Sequence, residues 1–338
     1  SYGGGMSIFD PLRGTAVPIP DDEYKGEHLT NKTILNIRAD KKGKLWISTF
    51  GGGLFRFDPA SYQLEVLNAS KGLAHNRVHY SYQDAGGKIW VATQGGISIV
   101  DPEKFSVIRS YKAGSSDTSI TSNTIYSFYQ DGSGIMWVAT GIGLNRIDLA
   151  SGKISKYYQK DGIAKDNIYG ILEDKEGNLW LSTNKGITRF NPKQPNVNGS
   201  AFKNYEAIDG LPEGEFLQGS FFKDPVNGEM FFGGNDGFNT FLPEKIEENK
   251  HIPPVFLTSF KRFGKEVQLD TSILFKKFIE LSYRDNFFSF EFVSLDYTLP
   301  GKNLYSYKME GVDEDWSAPS TIRYASYTNL ECGDYTFR

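Results

Sequence analysis

Seven residues recur four times along this chain. GKLWIST starts at Gly43, GKIWVAT at Gly87, GIMWVAT at Gly134 and GNLWLST at Gly177. Their tryptophans, Trp46, Trp90, Trp137 and Trp180, fall about 45 residues apart, and a fixed period of that length is the mark of a repeat architecture. A fifth copy, GEMFFGGNDGFNTFLP, carries Phe231 at the tryptophan position. GGGMSIFDP at residues 3–11 matches GGGLFRFDP at 51–59, so a partial copy opens the chain.

Each unit reads the same way. A first strand such as 125–130 (IYSFYQ) leads into a D-x-x-G turn, at 40–43, 84–87, 131–134 and 174–177. Asp at the first turn position accepts from backbone two residues on, and Gly closes the turn without a Cβ penalty. The tryptophan strand, a Gly-rich turn and a third strand ending near Asp-Pro or Asn-Pro follow, then a more variable fourth segment such as 154–159. Four strands in this period make a β-propeller blade; a helical solenoid needs a 3.6-residue pattern that is absent here. A single blade cannot bury both faces of its sheet, so the tryptophans are expected to be packing plugs between blades.

The asparagines and turns complete a pattern, N-x-[VI]…D-x-x-G-x-[LI]-W-[IV]-x-T-x-x-G-[LI]…F-D-P, that resembles the two-component regulator propeller repeat. Asn76, Asn123 and Asn167 open the first strand of their copies, with Asn31 one residue further out. The resemblance covers roughly residues 1–243, and the degenerate last copy matches how such propellers usually end. Usually they have seven blades. Here about five full blades and a partial one are expected, so the ring should be incomplete or unusually closed.

The register changes after Pro243. EKIEENKHIP, residues 244–253, is charged and proline-bearing and reads as a linker. From Pro254 the strands lengthen. FIELSY, RDN and FFSFEFVSL read as a hairpin, and YSYKME and IRYASYTNL as further strands. Leu330, Gly333 and Tyr335 are spaced as L-x-x-G-x-Y, which resembles the tyrosine corner of immunoglobulin-like sandwiches. With Tyr305 and Tyr307, residues 254–338 resemble the three-tyrosine domain that follows these propellers. The expected fold is all-β: a propeller over 1–243, then an immunoglobulin- or fibronectin-like sandwich lacking its last strand. Both ends read as cut from a longer protein.

Composition narrows the functions. Net charge is −4 with the signs interspersed, so no basic footprint for nucleic acid is present. No apolar run approaches the ~20 residues of a membrane span, and no signal-peptide pattern opens the chain. The single cysteine, Cys332, rules out a disulfide framework. No G-x-S-x-G, P-loop, H-E-x-x-H or dinucleotide glycine motif is found. His75 and His79 lie ~13 Å apart if on one strand, too far to share a metal, and read as surface residues. The turn aspartates stand singly where calcium wants six to eight oxygens, so they read as turn caps. The DDE at 21–23 reads as a solvated loop. A sialidase-like propeller is disfavoured: its box spaces Asp and Gly differently, and Arg38, Arg77, Arg146 and Arg189 do not repeat at one blade position.

The resemblance implies the periplasmic sensor region of an inner-membrane hybrid two-component protein, without catalysis or cofactor of its own. The parent would be a histidine kinase with phosphorelay activity, signalling to transcription. The ligand implied is an oligosaccharide, anionic ones included, and dimerisation through the C-terminal domain is the family's arrangement. A protein-interaction scaffold is the competing reading. Ligand contacts are expected on one propeller face, where two loop types meet. His75, Asn76, Arg77, Asn123 and Asn167 lead into the innermost strands; Phe50, Gln94, Asn184, Lys185, Asn235 and Asp236 follow the tryptophan strands. Amides and His suit hydroxyls, Phe50 suits a pyranose face, and Arg77 with Lys185 suits a carboxylate or sulfate.

Overall fold

A computed structural model describes residues 5–18, 29, 32–246, 253–296 and 300–338. Asn31 and the 21–23 loop lie outside the described residues. The chain divides into two compact units, 1–247 and 248–338. Of the linker residues, 247–252 lie outside the described residues. The rest of its N-terminal part belongs to the first unit: Pro243–Lys245 forms a 3-10 turn, and Ile246 packs against the cluster around Trp180.

The first unit is a β-propeller. Blade one comprises Ile34–Ala39, Leu45–Thr49, Gly53–Asp58 and Gln63–Leu67. Blade two comprises Val78–Gln83, Ile89–Thr93, Gly96–Asp101 and Ser106–Tyr111. Blade three spans Ile125–Gln130 to Ile154–Tyr157, and blade four Ile168–Glu173 to Phe202–Tyr205. All four are antiparallel sheets in sequence order. Ahead of them a hairpin pairs Ser7–Asp10 with Thr15–Pro18.

The fifth full blade is not complete among the described residues. It has three strands, Phe216–Lys223, Met230–Gly234 and Gly237–Phe241. Phe231 holds the tryptophan register, pairing with Thr240 as Trp180 pairs with Arg189. It is only half-buried, beside the exposed Phe222 and Phe238. Each tryptophan packs into the blade that follows it, and Phe231 has no such blade among the described residues.

Blade stacking builds the core. Trp46 packs with Val78, Ile89 and Val91 of blade two; Trp90 with Phe128 and Met136 of blade three. Trp137 packs with Ile168 and Ile171, and Trp180 with Phe216 and Phe232. All four tryptophans are 1% exposed. Arginines do repeat at one blade position: Arg56, Arg146 and Arg189 pair directly with Trp46, Trp137 and Trp180. Residue type along the sequence hides this, because blade two has Ile99 there. Arg56 lies over the Trp46 and Phe105 rings, so the position is one of packing.

The second unit carries a four-stranded sheet. Its spatial order is Lys265–Glu266, Val255–Arg262, Phe287–Ser294, Tyr324–Thr328. A short pair, Met309–Glu310 with Thr336–Phe337, faces the same core of Phe288, Phe290, Phe292 and Tyr327. The expected 278–283 hairpin strand does not form: FIELSY lies outside any strand, and Phe287–Ser294 pairs instead with Val255–Arg262 and Tyr324–Thr328. Only alternate residues of FIELSY, Ile279 and Leu281, reach the core, while Phe278 and Tyr283 are 78% and 81% exposed. Tyr335 donates its hydroxyl to the Glu331 carbonyl at 3.0 Å, and Tyr305 accepts from the Ser294 N–H at 3.1 Å.

Candidate functional site

The repeated motif sets the geometry of each blade end. In the D-x-x-G turns one carboxylate does two jobs. Asp131 Oδ1 accepts from the Ser133 and Ile135 N–H groups, and Oδ2 accepts from the Trp137 indole at 2.9 Å. Asp40, Asp84 and Asp174 bind Trp46, Trp90 and Trp180 in the same way. At the strand's far end Thr49, Thr93, Thr140 and Thr183 donate to the carbonyls of Gly53, Gly96, Gly143 and Gly186. The turn aspartates therefore sit on one face. The turns after the tryptophan strands sit on the other, with the residues that open the innermost strands, because strand direction alternates.

On that second face the structure joins four of the expected residues. Phe50 and Arg77 form an antiparallel bridge, and the Arg77 guanidinium lies over the Phe50 ring, 4.5 Å from its centre. Arg77 Nη1 donates to Gln94 Oε1 at 3.0 Å. His75 Nδ1 accepts from the Arg77 N–H. Phe50 is 47% exposed, so the cluster offers an aromatic face, a cation and an amide to solvent.

The remaining residues are placed differently. Asn76 and Asn123 are caps: their Oδ1 atoms accept from the Ala69 and Ala113 N–H groups, and their carbonyls hold the Gly53 and Gly96 N–H groups. Their equivalent in blade four is Asp166, not Asn167. Asp166 Oδ1 accepts from Gln159 N–H and its carbonyl from Gly143 N–H. Matching by residue type slipped the alignment by one. Asn167 occupies the position of Arg77 and Thr124, and its Nδ2 lies 3.4 Å from the Tyr169 hydroxyl. Lys185 is engaged by Glu206 at 3.2 Å. Asn184 keeps its Oδ1 buried without a hydrogen-bond partner among the described residues. Asn235 donates its N–H to Glu215, and Asp236 lies against Gly214, where a Cβ would come within 2.3 Å of its carboxylate.

Sequence reading missed a second set of residues. His79 is not a surface residue; it is 5% exposed. Its Nδ1 lies 2.7 Å from the Ile125 carbonyl, its ring stacks on Tyr126 at 5.5 Å, and Tyr126 meets Tyr169 edge-on at 5.0 Å. Burial pushes the His79 pKa down, against the Ile125 hydrogen bond, while Arg77 and His75 push it down further. Burial raises the Tyr126 and Tyr169 phenols. The ring is therefore neutral near pH 7. The signal in the sequence was position: each of these residues comes second in its first strand. On the opposite face a polar groove of about 590 Å³ runs between blades one and two, lined by Lys41, Lys42, Lys88 and Lys104. Lys42 is paired with Glu103 and Lys88 with Asp101. Among the described residues no group of His, Cys, Asp and Glu is arranged to hold a metal, and no helix is long and apolar enough to cross a membrane.

Comparison with known proteins gives these residues a setting. Residues 119–141 and 162–185 match the two component regulator propeller family, and residues 296–338 match the Y_Y_Y domain. Over its whole length the chain is similar to the extracellular domain of a hybrid two component system from B. thetaiotaomicron, at 29% identity and a TM-score of 0.79, covering 45% of that chain. It is 28% identical over 310 residues to histidine kinase P4 of Formosa agariphila, covering 87% of this chain and 22% of that protein. PorZ, a surface component of the type-IX secretion system of Porphyromonas gingivalis, shares the fold at 15% identity and a TM-score of 0.56. The chain thus spans under half the length of the relatives it matches most fully. Two stretches of the propeller thus match the two component regulator propeller repeat and the C-terminal residues match the Y_Y_Y domain, in a chain that is similar over its whole length to the extracellular domain of a hybrid two component system.

Proposed function

We propose that this chain is the ligand-sensing region of a hybrid two-component sensor kinase, placed in the periplasm, and that its ligand is an oligosaccharide. The full-length likeness to an extracellular sensor domain supports the sensing role and the location. The observation that carries the ligand class is the joined cluster of Phe50, Arg77 and Gln94. An exposed ring suits the C–H face of a pyranose, an amide suits its hydroxyls, and a guanidinium suits a uronate or sulfate substituent. Rigid blades hold these groups on loops, as binding sites commonly require. The fragment binds and does not catalyse; phosphorelay and transcriptional output belong to the parent protein. Signal transmission runs through paired Y_Y_Y domains as a rigid-body change.

Calorimetry against a panel of neutral and anionic oligosaccharides tests the reading. Arg77→Ala with Lys185→Ala should weaken an anionic ligand while leaving thermal unfolding unchanged, with Arg77 carrying most of the effect because Lys185 is already paired with Glu206. Undiminished affinity would move the site elsewhere on the molecule.

A further inference from the structure

The first strands of blades one to four share an irregularity. In each, the pairing with the second strand slips at the same place: between Ile34 and Asn36, Val78 and Tyr80, Ile125 and Ser127, Ile168 and Gly170. The extra residues are Leu35, His79, Tyr126 and Tyr169. A β-bulge leaves its extra residue out of the ladder and re-aims the side chain, and bulges gather beside functional sites. The fold itself does not require an aromatic ring there, since blade one has Leu35.

The three rings are continuous from blade two to blade four. His79 stacks on Tyr126 at an interplanar angle of 15°, and Tyr126 meets Tyr169 at 69°. Their polar atoms are under-used. The Nδ1 proton of neutral His79 is given to the Ile125 carbonyl, which leaves Nε2 as an acceptor with no partner among the described residues. His79 as a whole is 5% exposed, but Nε2 is not among the enclosed atoms left without a partner, so this acceptor is open to a ligand hydroxyl. The Tyr126 hydroxyl also has no partner among the described residues; that of Tyr169 is met only by Asn167, at 3.4 Å.

We propose that His79, Tyr126 and Tyr169 form the subsite that holds one uncharged pyranose ring of the ligand. A sugar hydroxyl donates to His79 Nε2, the Tyr126 hydroxyl donates to a ring or hydroxyl oxygen, and the tyrosine rings pack on the C–H face. A carboxylate or sulfate is excluded here, because Nε2 is an acceptor and the site carries no cation. Arg77, two residues before His79, takes any charged substituent at the subsite's edge. The proposal rests on the carbohydrate-sensing reading and assigns a chemical class to the ring held at this position.

The test is calorimetry of the whole chain with five probes, each containing at least one uncharged ring: cellotetraose, xylotetraose, mannotetraose, chitotetraose and a carrageenan tetrasaccharide. The tightest binder is then measured against His79→Phe and Tyr126→Phe, which keep the rings and remove the hydrogen-bonding atoms. Each should weaken binding about fivefold to tenfold, the scale of one neutral hydrogen bond. Lys104→Ala, on the opposite face, should leave it unchanged. Should His79→Phe fail to fold, Tyr126→Phe carries the test alone. If a probe binds and Tyr126→Phe and any folded His79→Phe stay within about twofold of the parent, the subsite is wrong and the sensing reading stands. If no probe binds the parent, the carbohydrate reading falls and this proposal with it.

Discussion

At the scale of single residues, the repeat is a set of hydrogen bonds written into sequence spacing. Asp stands six residues before Trp because its second oxygen must reach the indole N–H after the first has closed the turn. Trp137→Ala should cost about 3–5 kcal/mol, the usual range for a large buried aromatic; thermal unfolding identical to the parent's would show that it is no plug. Asp131→Ala should cost roughly 1–3 kcal/mol, because it leaves a buried indole donor unpaired. Gly143 is fixed by its backbone: φ is +85°, and a Cβ there would lie 2.2 Å from the Tyr157 carbonyl. His79 adds a pH effect. Its folded pKa is lowered, so the unfolded chain takes up the proton more readily. The stability this neutral ring contributes is full above about pH 6.5 and is lost as pH falls through the folded pKa. Chemical denaturation across pH should show this loss in the parent and lack it in His79→Phe.

At the scale of elements, the blade position decides what a side chain is worth. Phe231 occupies the tryptophan register but is half-buried and cannot donate. Its turn also has one residue more than the others: Gly228 follows Asp224 by four residues, and Asp224 bonds the Val226 N–H. Phe231→Ala should therefore cost only about 1–2 kcal/mol, well below Trp137→Ala measured in the same denaturant series. Phe221 shows how the last blade is fitted in. The long irregularity between Phe216 and Phe221 carries this ring against Tyr80 of blade two and over Gly170 of blade four. In the second unit, Tyr335→Phe should cost about 1 kcal/mol by removing the bond to Glu331.

At the scale of the whole molecule, charge sets the acid limit. The Asp101 pKa is lowered to about 2, first by the Lys88 hydrogen bond and then by backbone N–H groups. Asp58, Asp148 and Asp285 are also lowered, with backbone hydrogen bonds from Ala60, Ser151 and Ser282 first among the causes. Depressed carboxylates stabilise the fold above their unfolded pKa and lose that contribution as pH falls through the folded one. The steep loss of thermal stability should therefore lie between about pH 4 and pH 2. Asp101→Asn should lower the melting temperature at pH 7 and leave it unchanged near pH 2. An equal effect at both pH values would show that its charge is not involved.

The sequence alone determined the blade. Period, turn chemistry and the tryptophan spacing are local, and local hydrogen bonds enforce them identically in each copy, so the all-β propeller and the Y_Y_Y tail could be read directly. The candidate site was legible only in part. Phe50, Arg77 and Gln94 could be placed on one face by strand direction, but their contact depends on a bridge between neighbouring blades. Asn167 and Asp166 exchange roles because a cap is defined by which N–H groups it faces, not by its residue name. The failed strand at 278–283 has alternation but no partner, since Phe287–Ser294 is already paired on both edges. His79, Tyr126 and Tyr169 were invisible for the same reason. A bulge is a slip between two strands, and the ring contacts it creates join three blades whose residues are over forty positions apart. Only the packing of blade on blade brings them together.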